Sequence, residues 1–151
     1  MSFLVIEYIK QVHEIARSEV NPPASNMQFL VWNETLQELA SKLFRNQCNW
    51  NDIRDTAKAK NLGFTVESVP ADDRIQANYK SVADKLVRAS WKSYSKRYPI
   101  HCGSKFTDEC NNYRQVVSAH TNTYGCHFNF CEKLAWDIPP SMALVCFYHP
   151  P

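Results

Sequence analysis

Apolar residues recur every three or four positions in several stretches of the chain, which is the spacing of a helix with one buried face. Residues 3–19 form the first such stretch, and Pro22 and Pro23 follow it. Because proline cannot continue a helix, we predict that the first helix ends before them. Its buried stripe consists of Val5, Ile9, Val12 and Ala16.

Three further helices are predicted downstream. Asn33 is suited to cap the second helix, and residues 52–60 predict a short third one. The buried stripe of the second helix consists of Leu36, Leu39, Ala40, Leu43 and Phe44. A longer helical pattern runs over residues 75–94. Its members are Ile75, Tyr79, Val82, Leu86 and Ala89, and it reaches Trp91 and Tyr94.

Alternation of apolar and polar residues predicts strands at 64–69, 126–130 and 142–148. The polar stretch 99–112 is predicted to be a loop, and 113–120 is ambiguous between helix and strand. Helices followed by short strands predict an α+β fold with a small antiparallel sheet. The 151 residues fit a single domain.

Composition and charge exclude several classes of protein. Hydrophobic residues make up 44% of the chain and charged residues 21%, as in ordinary globular proteins. Seventeen basic and fifteen acidic side chains give a net charge of +2, which is too small and too mixed for a nucleic-acid-binding surface. No apolar run approaches the roughly 18 residues of a membrane span.

Six cysteines favour a disulfide framework and therefore an oxidising, extracellular compartment. The alternative is a zinc site, for which Cys126 and Cys131 have an acceptable spacing. Cys102 and Cys110 are too far apart to form the second close pair that such a site needs. Paired cysteines would also leave no thiolate nucleophile.

The chemistry-bearing residues outside the cysteines are sparse. His13 lies near the apolar stripe of the first helix, where a histidine is more often a hydrogen-bonded structural residue than a ligand. The chain contains none of the common catalytic or nucleotide-binding motifs, so we expect no enzyme activity. Asn33-Glu34-Thr35 is a sequon, which makes Asn33 a candidate glycosylation site.

Three segments resemble those of a known family: HEIARSEVNPPASNMQFLVWNETLQELA, CNNYRQVVSAHTNTYGC and ALVCFYHPP. His13 and Arg17 match the pattern HNxxR, with Glu14 at the usual asparagine. Part of GHYTQVVW is matched by Tyr113, Gln115, Val116 and Val117. The ending resembles GC…C…VCNYxPP. The chain thus resembles the CAP superfamily, which includes cysteine-rich secretory proteins, insect venom antigen 5, plant pathogenesis-related proteins and helminth venom allergen-like proteins.

The resemblance implies one CAP domain over residues 1–151, built as a three-layer α-β-α sandwich with a small antiparallel sheet. It also implies a secreted, extracellular protein with three disulfides. The implied pairs are Cys48 with Cys131, Cys102 with Cys110, and Cys126 with Cys146.

Many members of this family hold a divalent metal with two histidines and two glutamates. The resemblance places His13 at the first histidine and Asn112 at the second. Tyr94 and Gly63 fall at the glutamates, although the second placement could shift and Glu67 could substitute. Because neutral Asn and Tyr are poor metal ligands, we expect the metal site to be lost and no cofactor to be bound.

The resemblance implies a non-enzymatic extracellular effector or allergen-like module that binds a fatty acid, a sterol or a host protein. Two apolar helix faces would either pack tightly or leave a lipid channel between them. They comprise Val5, Ile9 and Val12 on the first helix and Tyr79, Val82 and Leu86 on the long one. The alternatives are a metal-dependent hydrolase or protease and a channel-blocking toxin, although the cysteine-rich tail of the family's toxins is absent here.

Overall fold

The architecture is taken from a computed structural model, which describes residues 1–20, 26–46, 48–71, 78–86, 89–90, 100–102, 108–132 and 139–151. Within these residues the helices are α1 (Phe3–Ser18), α2 (Glu34–Asn46), α3 (Trp50–Ala59), α4 (Tyr79–Lys85) and α5 (Asp108–Val116). The strands are β1 (Val31–Trp32), β2 (Gly63–Pro70), β3 (Ala89–Ser90), β4 (Ile100–His101), β5 (Thr123–Cys131) and β6 (Ser141–His149).

The main sheet has the strand order β1-β5-β6-β2. Strand β6 pairs antiparallel with β2, from Gly63 opposite Tyr148 to Pro70 opposite Ser141, and antiparallel with β5 on its other side. The short strand β1 adds to β5 in parallel, and β3 and β4 form a separate parallel pair.

Helices cover both faces of the sheet, as the burial of β6 shows. Alternate residues of this strand belong to two different cores, because successive side chains of a strand point to opposite faces. Leu144, Cys146 and Tyr148 pack with residues of α1, α4 and α5, whereas Val145 and Phe147 pack with α2 and α3. The predicted α+β class and the three layers are confirmed.

The predicted cap of the second helix is present: Asn33 Oδ1 accepts a hydrogen bond from the Leu36 backbone at 3.0 Å. At the start of α1, the Ser2 side chain accepts a hydrogen bond from the Val5 backbone. The predicted strands at 64–69, 126–130 and 142–148 are present and slightly longer.

The long helix predicted over residues 75–94 is confirmed over Tyr79–Lys85 and is wrong beyond it, at Ala89 and Ser90. Helix α4 ends at Lys85, the Leu86 N–H bonds to the Ala83 carbonyl at 3.1 Å, and Ala89 lies in strand β3. Pairing of β3 with β4 gives this segment sheet hydrogen bonds in place of helical ones. Ile75, Trp91 and Tyr94 lie outside the described residues.

The loop predicted over residues 99–112 is also wrong in part, because α5 begins at Asp108. The buried residues of α5 include Cys110 and Asn112. Because they are not a run of aliphatic residues at helical spacing, the sequence pattern did not predict this helix.

The structure contains disulfides between Cys48 and Cys131, Cys102 and Cys110, and Cys126 and Cys146, the pairs that the family resemblance implies. Among the described residues, no helix is long and apolar enough to cross a bilayer.

Candidate functional site

A buried polar network begins at His13 on the sheet-facing side of α1. The Nδ1 of this fully buried imidazole lies 2.8 Å from the Ile9 carbonyl, and Nε2 lies 2.9 Å from the Tyr148 hydroxyl. Because a carbonyl only accepts, Nδ1 carries the proton and Nε2 accepts from Tyr148. Burial lowers the pKa of His13 to about 4, so the ring is neutral near pH 7.

The network continues into strand β2 through the Tyr148 oxygen, which lies 3.2 Å from Thr65 Oγ1. Since the Tyr148 proton points to His13, the Thr65 hydroxyl donates here. Burial raises the pKa of the Tyr148 phenol, which therefore stays protonated. All three side chains are shielded from solvent.

Glu67 lies two residues beyond Thr65 and therefore on the same face of β2. Its carboxylate accepts a 2.7 Å hydrogen bond from Asn112 Nδ2, and Lys85 Nζ lies 3.7 Å away from it. Asn112 also donates to the Val66 carbonyl at 2.8 Å. The buried charge of Glu67 is thus compensated by groups of the protein itself.

The positions that the resemblance assigns to a metal do not fit one in the described structure. Both nitrogens of His13 are engaged, and the Asn112 amide donates to protein acceptors. A Cβ at Gly63 would collide with the Gln115 carboxamide, so this helix side chain occupies the space in front of β2. Tyr94 lies outside the described residues.

One further group has the composition of a metal site. His13, Cys126 and Cys146 place ligand atoms within 4.8 Å of one another. The two sulfurs are joined in a disulfide and offer no thiolate, so this group is not a metal site either.

The two helix faces considered for a lipid channel pack against each other. Ile9 and Val12 of α1 share one buried cluster with Val82 and Leu86, and Val5 packs against this cluster. At the edge of this contact, the rings of Tyr8 and Tyr79 meet edge to face at 5.8 Å. Of the two alternatives left open by the sequence, the structure shows the packed arrangement at these residues.

A cavity of about 610 Å³ lies elsewhere, between the second half of α1 and the extended segment 26–30. One residue of its lining, Phe29, is large and apolar and yet 92% exposed to solvent. The complete lining is Glu14, Arg17, Ser18, Val20, Met27, Gln28, Phe29 and Leu30. Sequence reasoning missed this cavity.

Arg17 builds one wall of the cavity by joining α1 to three other segments. Its Nη1 donates to the carbonyls of Val116 and Ser118, and its Nη2 donates to those of Gln28 and Thr121. Four terminal N–H groups therefore satisfy four backbone acceptors, of which the Gln28 carbonyl ties segment 26–30 to α1.

Asn33, the candidate glycosylation site, is half-buried, and its Oδ1 caps α2. Its glycosylation stays a prediction.

Residues 11–147 match the sequence model of CAP, the cysteine-rich secretory protein family. The chain belongs to the CAP family. Curated relatives of this CAP domain include peptidase inhibitor 15 of Xenopus laevis, 31% identical over 157 residues, and peptidase inhibitor 16 of Bos taurus, 29% identical over 143 residues. These matches cover 97% and 93% of this chain but 56% and 28% of the relatives, so the chain spans about half or less of their length.

Solved structures of other proteins share the fold. Ancylostoma-secreted protein Ac-ASP-7 is 21% identical with a TM-score of 0.61, over 98% of this chain and 69% of that one. The structure of NaASP2 with Zn2+ is 16% identical with a TM-score of 0.64, over 99% and 81% of the two chains. Venom allergen-like protein 4 of Schistosoma mansoni is 19% identical with a TM-score of 0.59, over 98% and 89%. At these identities the likeness shows the fold alone.

Proposed function

We propose that this CAP domain is a secreted, non-catalytic carrier of a small hydrophobic ligand, and that the ligand binds in the cavity between α1 and segment 26–30. The observation that carries the proposal is the cavity itself, with Val20, Met27, Phe29 and Leu30 in its lining. Its volume of about 610 Å³ lies within the range of roughly 300–1,000 Å³ typical of small-molecule sites.

The exposure of Phe29 supports a ligand at this place. A large apolar side chain in water is unfavourable by roughly 25 cal/mol per Å² of its apolar surface. A fatty acid or a sterol seated against Phe29 and Leu30 would cover part of that surface and so gain affinity without a strong polar contact.

A non-catalytic role is supported by the burial of the polar network, which keeps substrates away from it. The Thr65–Tyr148–His13 chain has a hydroxyl and a base in sequence, as nucleophilic catalysis requires. All three groups are fully buried, however, and a substrate has no access to them. The described residues also contain no free cysteine. The hydrolase alternative, which rests on a metal, receives no support from His13, Asn112 or Gly63.

Secretion is supported by the three disulfides, which form and persist in oxidising compartments. The description of the family as secretory points the same way.

The carrier proposal is tested with delipidated protein and Nile red, a neutral hydrophobic dye. We expect 1:1 binding at micromolar concentration, with displacement by cholesterol or palmitate identifying the sterol or fatty-acid class. Phe29→Ala should weaken dye binding, whereas Phe3→Ala, which removes another exposed phenylalanine outside the cavity, should not. Failure of dye, palmitate and cholesterol to bind would overturn the proposal.

A host protein is the second candidate partner, favoured by the edge of the main sheet. Strand β1 lies at this edge and, among the strands that the structure describes, pairs with β5 alone; Val31 on this strand is 58% exposed. Exposed edge strands and their apolar side chains are common docking sites for other chains. A photo-crosslinking residue at Val31 should capture a specific host protein, whereas the same residue at the exposed Glu34 should not.

A further inference from the structure

The cavity between α1 and segment 26–30 has two charged residues in its lining, and only one of them is available to a ligand. Arg17 is 7% exposed, and its four terminal N–H groups are all donated to backbone carbonyls. All four terminal N–H groups are therefore used in hydrogen bonds within the protein. Arg17 has none left for the bidentate contact that arginine normally makes with a carboxylate or phosphate.

Glu14 is in the opposite situation. Its side chain is exposed at the cavity, and no hydrogen bond or ion pair joins it to another residue in the part of the chain that the structure describes. The negative charge of Glu14 acts on a neighbouring group of the protein. Burial is the main cause that raises the pKa of Tyr124, the charge interaction with Tyr148 is the second, and the interaction with Glu14 is the third. The charged group that the lining leaves accessible to direct contact with a ligand is thus a carboxylate.

We propose that the ligand of this cavity carries a cationic amine, which binds Glu14, on an aromatic or hydrophobic body that packs against Met27 and Phe29. The inference rests on the carrier function proposed above and names the class of its ligand. An ammonium group donates charge-assisted hydrogen bonds to a carboxylate, and these are stronger than bonds between neutral groups.

The apolar wall suits the rest of such a molecule. Phe29 offers a ring face or edge to an aromatic ligand, and thioether sulfurs such as that of Met27 make favourable contacts with aromatic rings. A fatty acid would bring its own carboxylate toward Glu14, and like charges repel. Glu14 therefore favours an amine over an acid of the same hydrophobic body, and on this inference palmitate is the weakest of the hydrophobic ligands named above.

Three ligands that share an indole ring test the inference by isothermal titration calorimetry: tryptamine (cationic), tryptophol (neutral) and indole-3-acetate (anionic). We expect tryptamine to bind with 1:1 stoichiometry, tryptophol more weakly, and indole-3-acetate most weakly. Glu14→Gln should weaken tryptamine binding about fivefold, as expected for an ion pair at an accessible carboxylate, and leave tryptophol binding unchanged.

Glu7→Gln is the matched control, because Glu7 lies on the same helix, carries the same charge and is not part of the cavity lining. Far-UV circular dichroism checks that each variant is folded. Equal affinity for tryptamine and tryptophol, no effect of Glu14→Gln, or an equal effect of Glu7→Gln would overturn the amine inference. If Nile red still binds in that case, the carrier function stands; if neither the dye nor any indole binds, both proposals fail.

Discussion

His13 Nε2 lies 2.9 Å from the hydroxyl of Tyr148, a residue 135 positions further along the chain. This buried hydrogen bond ties the first helix to the last strand of the sheet. It also places the proton of Tyr148 on the side of the imidazole, which leaves Thr65 to donate to the Tyr148 oxygen. The histidine thus belongs to the packing of the domain and holds the helix layer against the sheet.

Replacement of Tyr148 by phenylalanine should lower the free energy of unfolding by about 1–3 kcal/mol, because a buried imidazole nitrogen loses its donor. Chemical denaturation measures this change. Tyr124→Phe is the matched control: the Tyr124 ring stacks on Tyr148, but its hydroxyl makes no hydrogen bond within the described residues. That variant should be neutral or slightly stabilised. Equal destabilisation of both variants would contradict the assigned hydrogen bond.

Stability should decrease as the pH falls from about 7 to about 5. The pKa of His13 is lowered from 6.5 to about 4 by burial, with Arg17 contributing, so the unfolded chain takes up a proton in this window and the folded protein does not. Burial lowers the pKa of His127 to about 4 as well, so the decrease should involve two protons.

Urea denaturation at several pH values, on wild type and on His127→Gln, isolates the part due to His13. The variant should retain a decrease of at most about 1.4 kcal/mol per pH unit, the value for one proton. A flat profile in His127→Gln between pH 7 and pH 5 would show that His13 is protonated in the folded protein.

Asn112→Ala should destabilise the domain by about 1–3 kcal/mol, because the Glu67 carboxylate and the Val66 carbonyl both lose a buried donor. Asn111→Ala is the control one residue away, since within the described part of the chain the Asn111 side chain makes one exposed hydrogen bond, which it accepts from Arg114. Its effect should stay within about 0.5 kcal/mol. Similar losses in the two variants would show that the Asn112 contacts do not contribute.

Titration of the purified protein with zinc should reveal no stoichiometric site in the domain. The physical reason is that both ring nitrogens of His13 and the Nδ2 of Asn112 are engaged by the protein, and Gln115 occupies the space in front of Gly63. Calorimetry with ZnCl2 measures this, and Glu67→Gln tests whether any binding detected involves that carboxylate. A submicromolar site that this variant removes would refute the expectation.

The disulfides should differ in their contribution to stability. Cys48–Cys131 joins residues 83 positions apart and Cys102–Cys110 residues 8 apart. In the chain-entropy model the first restricts the unfolded chain by about 4–5 kcal/mol and the second by about 2–3 kcal/mol. Paired Cys→Ala variants compared by thermal denaturation should show this order, and non-reducing peptide mapping checks the pairing. The reverse order would mean that native-state contacts outweigh loop length.

Local patterns in the sequence were sufficient for most of the secondary structure. The stripe from Val5 to Ala16 predicted α1, Asn33 predicted the start of α2, and alternation predicted β2, β5 and β6, because helix faces, caps and pleats depend on residues a few positions apart. The three motif segments and the ordered cysteines were sufficient to recognise the family that the match over residues 11–147 shows.

Only the tertiary structure decided where α4 ends and what the polar residues do. The segment around Ala89 has helical spacing, but pairing with a strand eleven residues away gives it sheet geometry. The role of His13 depends on Tyr148, and that of Glu67 on Asn112, partners that lie far apart in the chain. The cavity exists because Arg17 holds segment 26–30 beside α1 through the Gln28 carbonyl and is itself held by three carbonyls of residues 116–121. No pattern of neighbouring residues encodes that arrangement.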